Sequence, residues 1–505
     1  TDYSIPDSMG ILMTFKYDNV NLMDFQRIDE LHDIGYNRTI SMMDSIKSRI
    51  HRRVNLDNIR LRRMVYRSNF PELRFKNIII DGANPQQQAY MKKEFHKSDN
   101  KEFTYEDLKQ GYFRLLSDKM ISEIIPHAIY NPEDDTYDLH LKVKLENNFA
   151  VRLGGNISTS NSNQIYLGLS YQDLNYYAKE FILDGQLGKV YNNVQFMAKI
   201  DFATAIPTSY RLIGSISTFD YFKKDKLFSR NNKPAFNQKD ERFLKLQVGL
   251  PFLSSKRAEF GVGIARIEDK YFQKSVIDFG NDKFDKSRYD LFGGSISFNG
   301  STLNSKQYPT RGYREALVAQ IFVGKERFYP GEGSTTSNNK DHHSWLQLSY
   351  MKEKYHNMSE HWVLGWYLKA LYASKNFSEN YTATMMQAGE FSPTLHSKLT
   401  YNEAFRANQF VGAGIRPIYR LNQMFHLRGE FYGFMPIYPI EKNSLNKAYY
   451  GKAFSKFEYL GEISVVCQLP FGDISAYVNH YSSPKREWNV GLSIGWQLFN
   501  YRFIE

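Results

Sequence analysis

Residues 487–500, from Glu487 to Asn500, spell EWNVGLSIGWQLFN. In this stretch Trp488, Val490, Leu492, Ile494, Trp496 and Leu498 alternate with Asn489, Gly491, Ser493, Gly495 and Gln497. Side chains on a strand point to opposite faces with a period of two, so one face here is uniformly large and apolar and the other small or polar. A sandwich strand can show this once. A long series of such strands closing on an aromatic-rich one suits a membrane barrel, whose outer face meets lipid and whose inner face meets a wet lumen.

Composition narrows the class. The 505 residues are 42% hydrophobic and 24% charged, with a mean hydropathy of -0.53, and contain no uninterrupted apolar run long enough for a spanning helix. A chain of this kind crosses lipid only as an edge-free barrel, the one alternative to helices that satisfies every backbone polar group. The 36 Tyr and 37 Phe suit the aromatic girdles of such a barrel. The net charge of +11 is dispersed, with no basic helix or aromatic nucleotide-stacking signature, so nucleic acid is not an expected partner. Cys467 stands alone, which excludes an intrachain disulfide framework and makes it a small filler on a strand face. The chain starts at Thr1 with no apolar signal segment, and is therefore expected to be a mature or truncated piece.

Working back from the terminal strand, residues 148–505 form a strand array. Phe149, Val151, Leu153 and Ile157 oppose Arg152, Gly154, Asn156 and Ser158, and similar runs lie near 244–250, 260–267, 291–298, 345–350, 362–371, 409–419 and 425–434. Loops at 223–242 and 331–343 separate them. At about twenty-two residues per strand and connection, the array holds about sixteen strands. The fold class is thus mainly β, a transmembrane antiparallel barrel of about sixteen strands behind a small α+β domain and a helical N-terminal segment.

That α+β domain spans 73–147. Its expected order is a strand from Arg74, a helix opened by Pro85, a second helix capped by Thr104 with Asp107, and strands at 124–130 and 137–145 around an acidic turn, Asn131 to Asp135. Before it, residues 1–72 carry Phe25, Ile28, Leu31, Ile40, Met43, Ile46 and Ile50 at helical spacing, punctuated by Gly35. The basic run Lys47, Arg49, Arg52, Arg53, Arg60, Arg62 and Arg63 is best taken as a solvated helix face.

The order strand, helix, helix, strand, strand, with a glycine turn after the first strand, resembles a polypeptide-transport-associated (POTRA) domain. One such domain feeding a C-terminal barrel resembles the Bam-type outer-membrane insertase superfamily. Two segments carry the likeness further. Ser301 to Tyr313, with Tyr308, Pro309 and Gly312, looks like the Pro-Thr-x-Gly strand connection of these barrels. Phe405-Arg406-Ala407-Asn408 stands where the superfamily carries a Val-Arg-Gly-Phe loop tucked into the lumen, with only the aromatic-to-arginine core kept. An arginine inside a barrel needs a carboxylate, and Glu430, in phase with His426, Arg428 and Tyr432, is the expected partner of Arg406. Ile5-Pro6-Asp7, Gly10-Ile11, Met23-Asp24-Phe25, Glu30-Leu31 and Gly35 to Thr39 look like the tail of a patatin-like phospholipase domain. In that family such a tail precedes a POTRA domain and a barrel.

Patatin-like enzymes work with a serine in a Gly-x-Ser-x-Gly elbow and an aspartate, and no such catalytic dyad is expected in this chain. Asp81-Gly82-Ala83 matches the aspartate motif only literally and is expected to be a turn. No catalytic, cofactor-binding or metal-binding residues are assigned; Asp341-His342-His343 is expected to be a solvated loop. The resemblance implies the membrane anchor of a lipid acyl hydrolase whose catalytic half is absent. An insertase or translocator working by β-augmentation, and a passive pore, stay open as alternatives. Implied partners are outer-membrane lipids, the barrel assembly machinery during biogenesis, and a second subunit or periplasmic protein at the POTRA edge. The barrel is expected in a bacterial outer membrane, with the preceding segments in the periplasm.

Overall fold

The computed structural model describes residues 10–13, 15, 28–50, 55–68, 72–95, 102–133, 135–159, 163–203, 206–221, 237–253, 255–273, 283–332, 334, 339–483 and 488–505. Ile5-Pro6-Asp7, Met23-Asp24-Phe25, Arg52, Arg53 and most of the 223–242 loop lie outside the described residues. Two compact units are present: Thr1–Leu73 with Asn131–Thr136, and Arg74–Tyr130 with Tyr137–Glu505.

The first unit contains helices α1 (Ile28–Ser41), α2 (Met43–Arg49) and α3 (Leu56–Ser68). Gly35 does not break α1: one glycine costs a helix only about 1 kcal/mol against alanine, and the Thr39 hydroxyl donates to its carbonyl at 2.7 Å. No side chain of α3 is buried.

In the second unit β1 (Arg74–Asp81), α4 (Pro85–Lys93), β2 (Phe103–Thr104), α5 (Tyr105–Leu116), β3 (Ile121–Asn131) and β4 (Thr136–Leu145) build a four-stranded sheet of order β2-β1-β4-β3. Both helices begin with a capping box, Asn84 with Gln87 and Thr104 with Asp107, which satisfies two otherwise orphaned donors each. Gly82 sits at φ +88°, and a Cβ there would lie 2.1 Å from the Val143 carbonyl oxygen. The Asp81-Gly82-Ala83 stretch is therefore a tight turn against β4.

Sixteen further strands close into one barrel. They are β5 (Phe149–Ser158), β6 (Gln164–Leu174), β7 (Ala178–Gly188), β8 (Tyr191–Phe202), β9 (Thr208–Asp220), β10 (Asn237–Pro251), β11 (Lys256–Tyr271) and β12 (Asp285–Ser301), followed by β13 (Gly312–Tyr329), β14 (Asn339–Asn357) and β15 (Trp362–Ala373). An insertion then holds α6 (Tyr381–Gln387), β16 (Gly389–Glu390) and β17 (Arg406–Ala407), before β18 (Gln409–Arg420) and β19 (Phe425–Pro436). A small hairpin, β20 (Ile440–Lys442) and β21 (Ala448–Tyr450), precedes β22 (Glu458–Leu469), β23 (Gly472–Tyr481) and β24 (Trp488–Gly495).

Alternation holds around the wall. On β10, Leu244 and Leu246 face outward while Lys245 and Gln247 are buried inside, the polarity expected when lipid is outside and polar groups fill the lumen. Among the described residues no helix is long and apolar enough to cross a membrane. The α+β sheet packs directly on the barrel: its core of Phe75, Ile78, Met91, Leu115 and Leu139 extends to Leu174 and Ala178 at the β6–β7 turn. Tyr90 donates to Asp118 at 3.1 Å in this junction, and burial pushes the Asp118 carboxyl above the usual carboxylate range.

Candidate functional site: the seam and the filled lumen

Neighbouring strands of the wall share long ladders; β13 and β14 pair from Gly312↔Tyr355 to Phe328↔Asn339. The closing contact is different. Among the described residues β24 and β5 share three register pairs, Ser493↔Ser158, Ile494↔Ile157 and Gly495↔Asn156, and beyond them the Thr159 N–H donates to the Leu492 carbonyl at 3.0 Å. β5 is paired along Phe149–Asn156 with β6 on its other side, so among the described residues the 149–154 edge facing β24 has no strand partner. An unpaired edge of this kind is a template for an added strand.

The seam is short because the chain leaves the sheet. Gly495 has φ +117°, and a Cβ at this position would lie 2.2 Å from the Gly155 carbonyl oxygen. Trp496 then donates its backbone N–H to that same carbonyl at 2.6 Å. Trp488, Val490, Leu492 and Ile494 are exposed on the outer face as expected, but Trp496 and Leu498 are not part of the closing strand. Residues 496–505 turn into the lumen instead, where side chains of the wall satisfy their backbone. Leu498 N–H donates to Gln164 at 3.1 Å, Phe503 N–H to Glu241 at 2.7 Å and Glu505 N–H to Gln320 at 3.0 Å. Phe503 is buried against Phe243 and Phe322 on the far wall.

The insertion between β15 and β18 also folds inward. Arg406 is buried in it, but its carboxylate is Glu390 at 3.0 Å, not Glu430. Arg406 lies directly across the β16–β17 ladder from Glu390, so the pair forms within the insertion. The same guanidinium donates to the carbonyls of Met386 and Ala388 at 3.4 and 3.3 Å and stands over the Tyr401 ring at 4.7 Å.

Glu430 is occupied elsewhere. Arg428, two residues before it on the same face of β19, binds it closely. Arg416 on β18 approaches at 3.5 Å while binding Glu353 of β14. Two lumen segments dock on this hub: the Pro393 carbonyl of the insertion accepts from Arg416 at 3.2 Å, and the Pro309 carbonyl accepts from Arg428 at 2.8 Å. Tyr308, Pro309 and Gly312 thus belong to a connection tucked inside the barrel. Tyr308 is buried and donates to Ser475 at 3.0 Å, and Gly312, at φ +95°, leaves no room for a Cβ against the Thr302 carbonyl. The signal for the hub was the in-phase Arg428 and Glu430; Arg416, Glu353 and Glu390 carried no local mark.

Asp341-His342-His343 is not a solvated loop. It lies on β14, and His343 is buried 2.9 Å from Glu326. Among the described residues no three His, Cys, Asp or Glu side chains group as a metal site. Below the insertion and the tail a cavity of about 1320 Å³ remains, lined by the wall, the insertion, the tail and the α5–β3 end of the α+β segment.

No protein-family description and no curated protein sequence matches the chain. Among solved structures, BamA from Haemophilus ducreyi lacking POTRA domains 1-3 aligns with a TM-score of 0.56 over 84% of each chain, at 12% identity. The fold is that of BamA. CdiB from Acinetobacter baumannii aligns with a TM-score of 0.49 at 9% identity, over 84% of this chain and 74% of its own. CdiB from Escherichia coli gives 0.46 at 11% identity, over 84% and 76%. At this identity the likeness to BamA concerns fold.

Proposed function

We propose that the chain is an outer-membrane protein that inserts or translocates polypeptides, with 73–147 acting as a POTRA domain and the preceding helices lying with it in the periplasm. The observation that carries this reading is the seam: among the described residues three register pairs close the barrel and leave the 149–154 edge of β5 open. A backbone hydrogen bond contributes about 1 kcal/mol net, so this junction is the cheapest one to part, and an incoming strand gains main-chain bonds by adding to β5. A filled lumen favours such work over a passive pore.

The alternative reading, a membrane anchor for a patatin-like acyl hydrolase, rests on the 1–39 stretch. It gains no support from the BamA-like fold, and the one Gly-x-Ser-x-Gly run, Gly491 to Gly495, lies in the closing strand β24 and not at a strand-to-helix turn.

A disulfide across the seam tests the proposal. In a Cys467→Ser background, Ile157→Cys with Ile494→Cys joins register partners. The oxidised protein in proteoliposomes is expected to lose insertion of an unfolded outer-membrane barrel polypeptide and to regain it on reduction. Equal activity in both states would overturn the seam mechanism.

A further inference from the structure

Many charges of the lumen are committed in pairs, but three cations that share one cavity are not. Arg314 on β13, Lys369 on β15 and Lys398 on the insertion line the same cavity. Lys398 feels the charges of Arg314, Glu353, Arg416 and Lys369, and Lys369 those of Glu390, Arg502, Arg406 and Arg314. None of the three has an ion pair with a carboxylate among the described residues. Lys369 donates to the Glu390 backbone carbonyl at 2.8 Å, and Lys398 stands 5.5 Å over the ring of Phe499 in the tail.

The carboxylates within reach are already used. Glu353 binds Arg416 and accepts from Tyr355 at 3.1 Å. Glu390 binds Arg406 at 3.0 Å and lies 3.8 Å from Arg502 of the tail. Three cations on three elements thus line one cavity whose neighbouring carboxylates already bind other cations, which leaves it with an excess of positive charge.

We propose that Arg314, Lys369 and Lys398 form a binding site for a multivalent phosphate-bearing anion, which ties the inserted loop to the barrel wall. A phosphate group offers several strong acceptor oxygens that Arg and Lys recognise, and the cavity is larger than the 300–1000 Å³ common for small-ligand pockets. Two sources share this chemistry, a free oxyanion and a phospholipid headgroup. Because the site joins elements that are apart in the unfolded chain, its occupant binds only the folded barrel and raises its apparent stability.

The test uses the full chain in a neutral detergent, titrated with pyrophosphate or with dihexanoyl phosphatidic acid below its micelle concentration, against sodium chloride at matched ionic strength. Saturable binding with a rise in the temperature of heat-modifiable gel mobility is expected for one or both phosphates and not for chloride. Pyrophosphate binding identifies a free oxyanion, and binding of phosphatidic acid alone identifies a headgroup. Arg314→Gln with Lys398→Gln should weaken binding at least tenfold, whereas Arg314→Lys with Lys398→Arg, which keeps both charges, should retain it and controls for folding. No saturable binding by either phosphate, or equal binding by the glutamine variant, would overturn the site.

Discussion

The wall that runs from β10 through β15 and β18 to β19 and the seam between β24 and β5 are parts of one sheet closed in opposite ways. β13 and β14 pair along nearly their whole length, and the lumen side of this wall is cross-linked by buried ion pairs such as Arg416 with Glu353. The seam has three register pairs among the described residues and then a glycine that turns the chain inward. Stability and the capacity to open are therefore assigned to different strands, and a change on one side should leave the other measurable.

The largest effect is expected from breaking the charged hub that braces the wall. Glu430→Ala leaves Arg428 without its carboxylate and Arg416 with one fewer, and removing a partner from a buried ion pair costs about 3–5 kcal/mol. The heat-modifiable band should convert at a clearly lower temperature; an unchanged conversion temperature would show that the hub does not brace the wall. Arg406→Ala should cost less, about 2 kcal/mol by the loss of charged hydrogen bonds, because Glu390 keeps Arg502 nearby. Protease sensitivity of the insertion should rise before the barrel itself melts.

On the seam side, Gly495→Val forces a β-branched residue into positive φ, at a cost of about 1–3 kcal/mol, and pushes a side chain into the Gly155 carbonyl. Disulfide yield between Ile157→Cys and Ile494→Cys should drop while the melting temperature of the wall changes little. A parallel loss of both would mean that seam and wall are not separable. The smallest effect is expected where the α+β segment meets β6–β8, the strands beside the seam. Asp118 titrates above its unfolded value of 3.8, so its contribution is complete below that pH and is lost as pH rises through the raised folded value. Asp118→Asn should flatten this dependence in trypsin-resistance profiles from pH 3 to pH 8, and a persistent slope would assign it to another group.

Period-two alternation made the barrel legible, because every wall strand must separate lipid from lumen. The caps at Asn84 and Thr104 were legible because they are local. What escaped was decided by distance. The alternation of Trp488 to Ile494 runs on unbroken through Trp496 and Leu498, and nothing nearby announces that Gly495 adopts positive φ and ends the strand. The partner of Arg406 escaped for a related reason: Glu390, sixteen positions earlier, meets it through a two-residue ladder too short to leave a pattern. Glu430 was in view with Arg428 beside it on the same face, so the correct competitor could have been read from spacing alone. His343 was misjudged because two adjacent histidines beside polar residues look solvated, although a strand sends one of them inward.

The ten residues after β24 have a consequence for chronology. They leave from the seam, cross the lumen and finish against Gln320 and Gln347 on the opposite wall, like the cord drawn through a closing purse. They are also made after all sixteen strands, so their docking sites on β10, β13 and β14 exist only once those strands have found their register. The interior is consequently finished by residues that follow the whole wall in sequence, and a barrel whose far wall is misregistered has nowhere to fasten them.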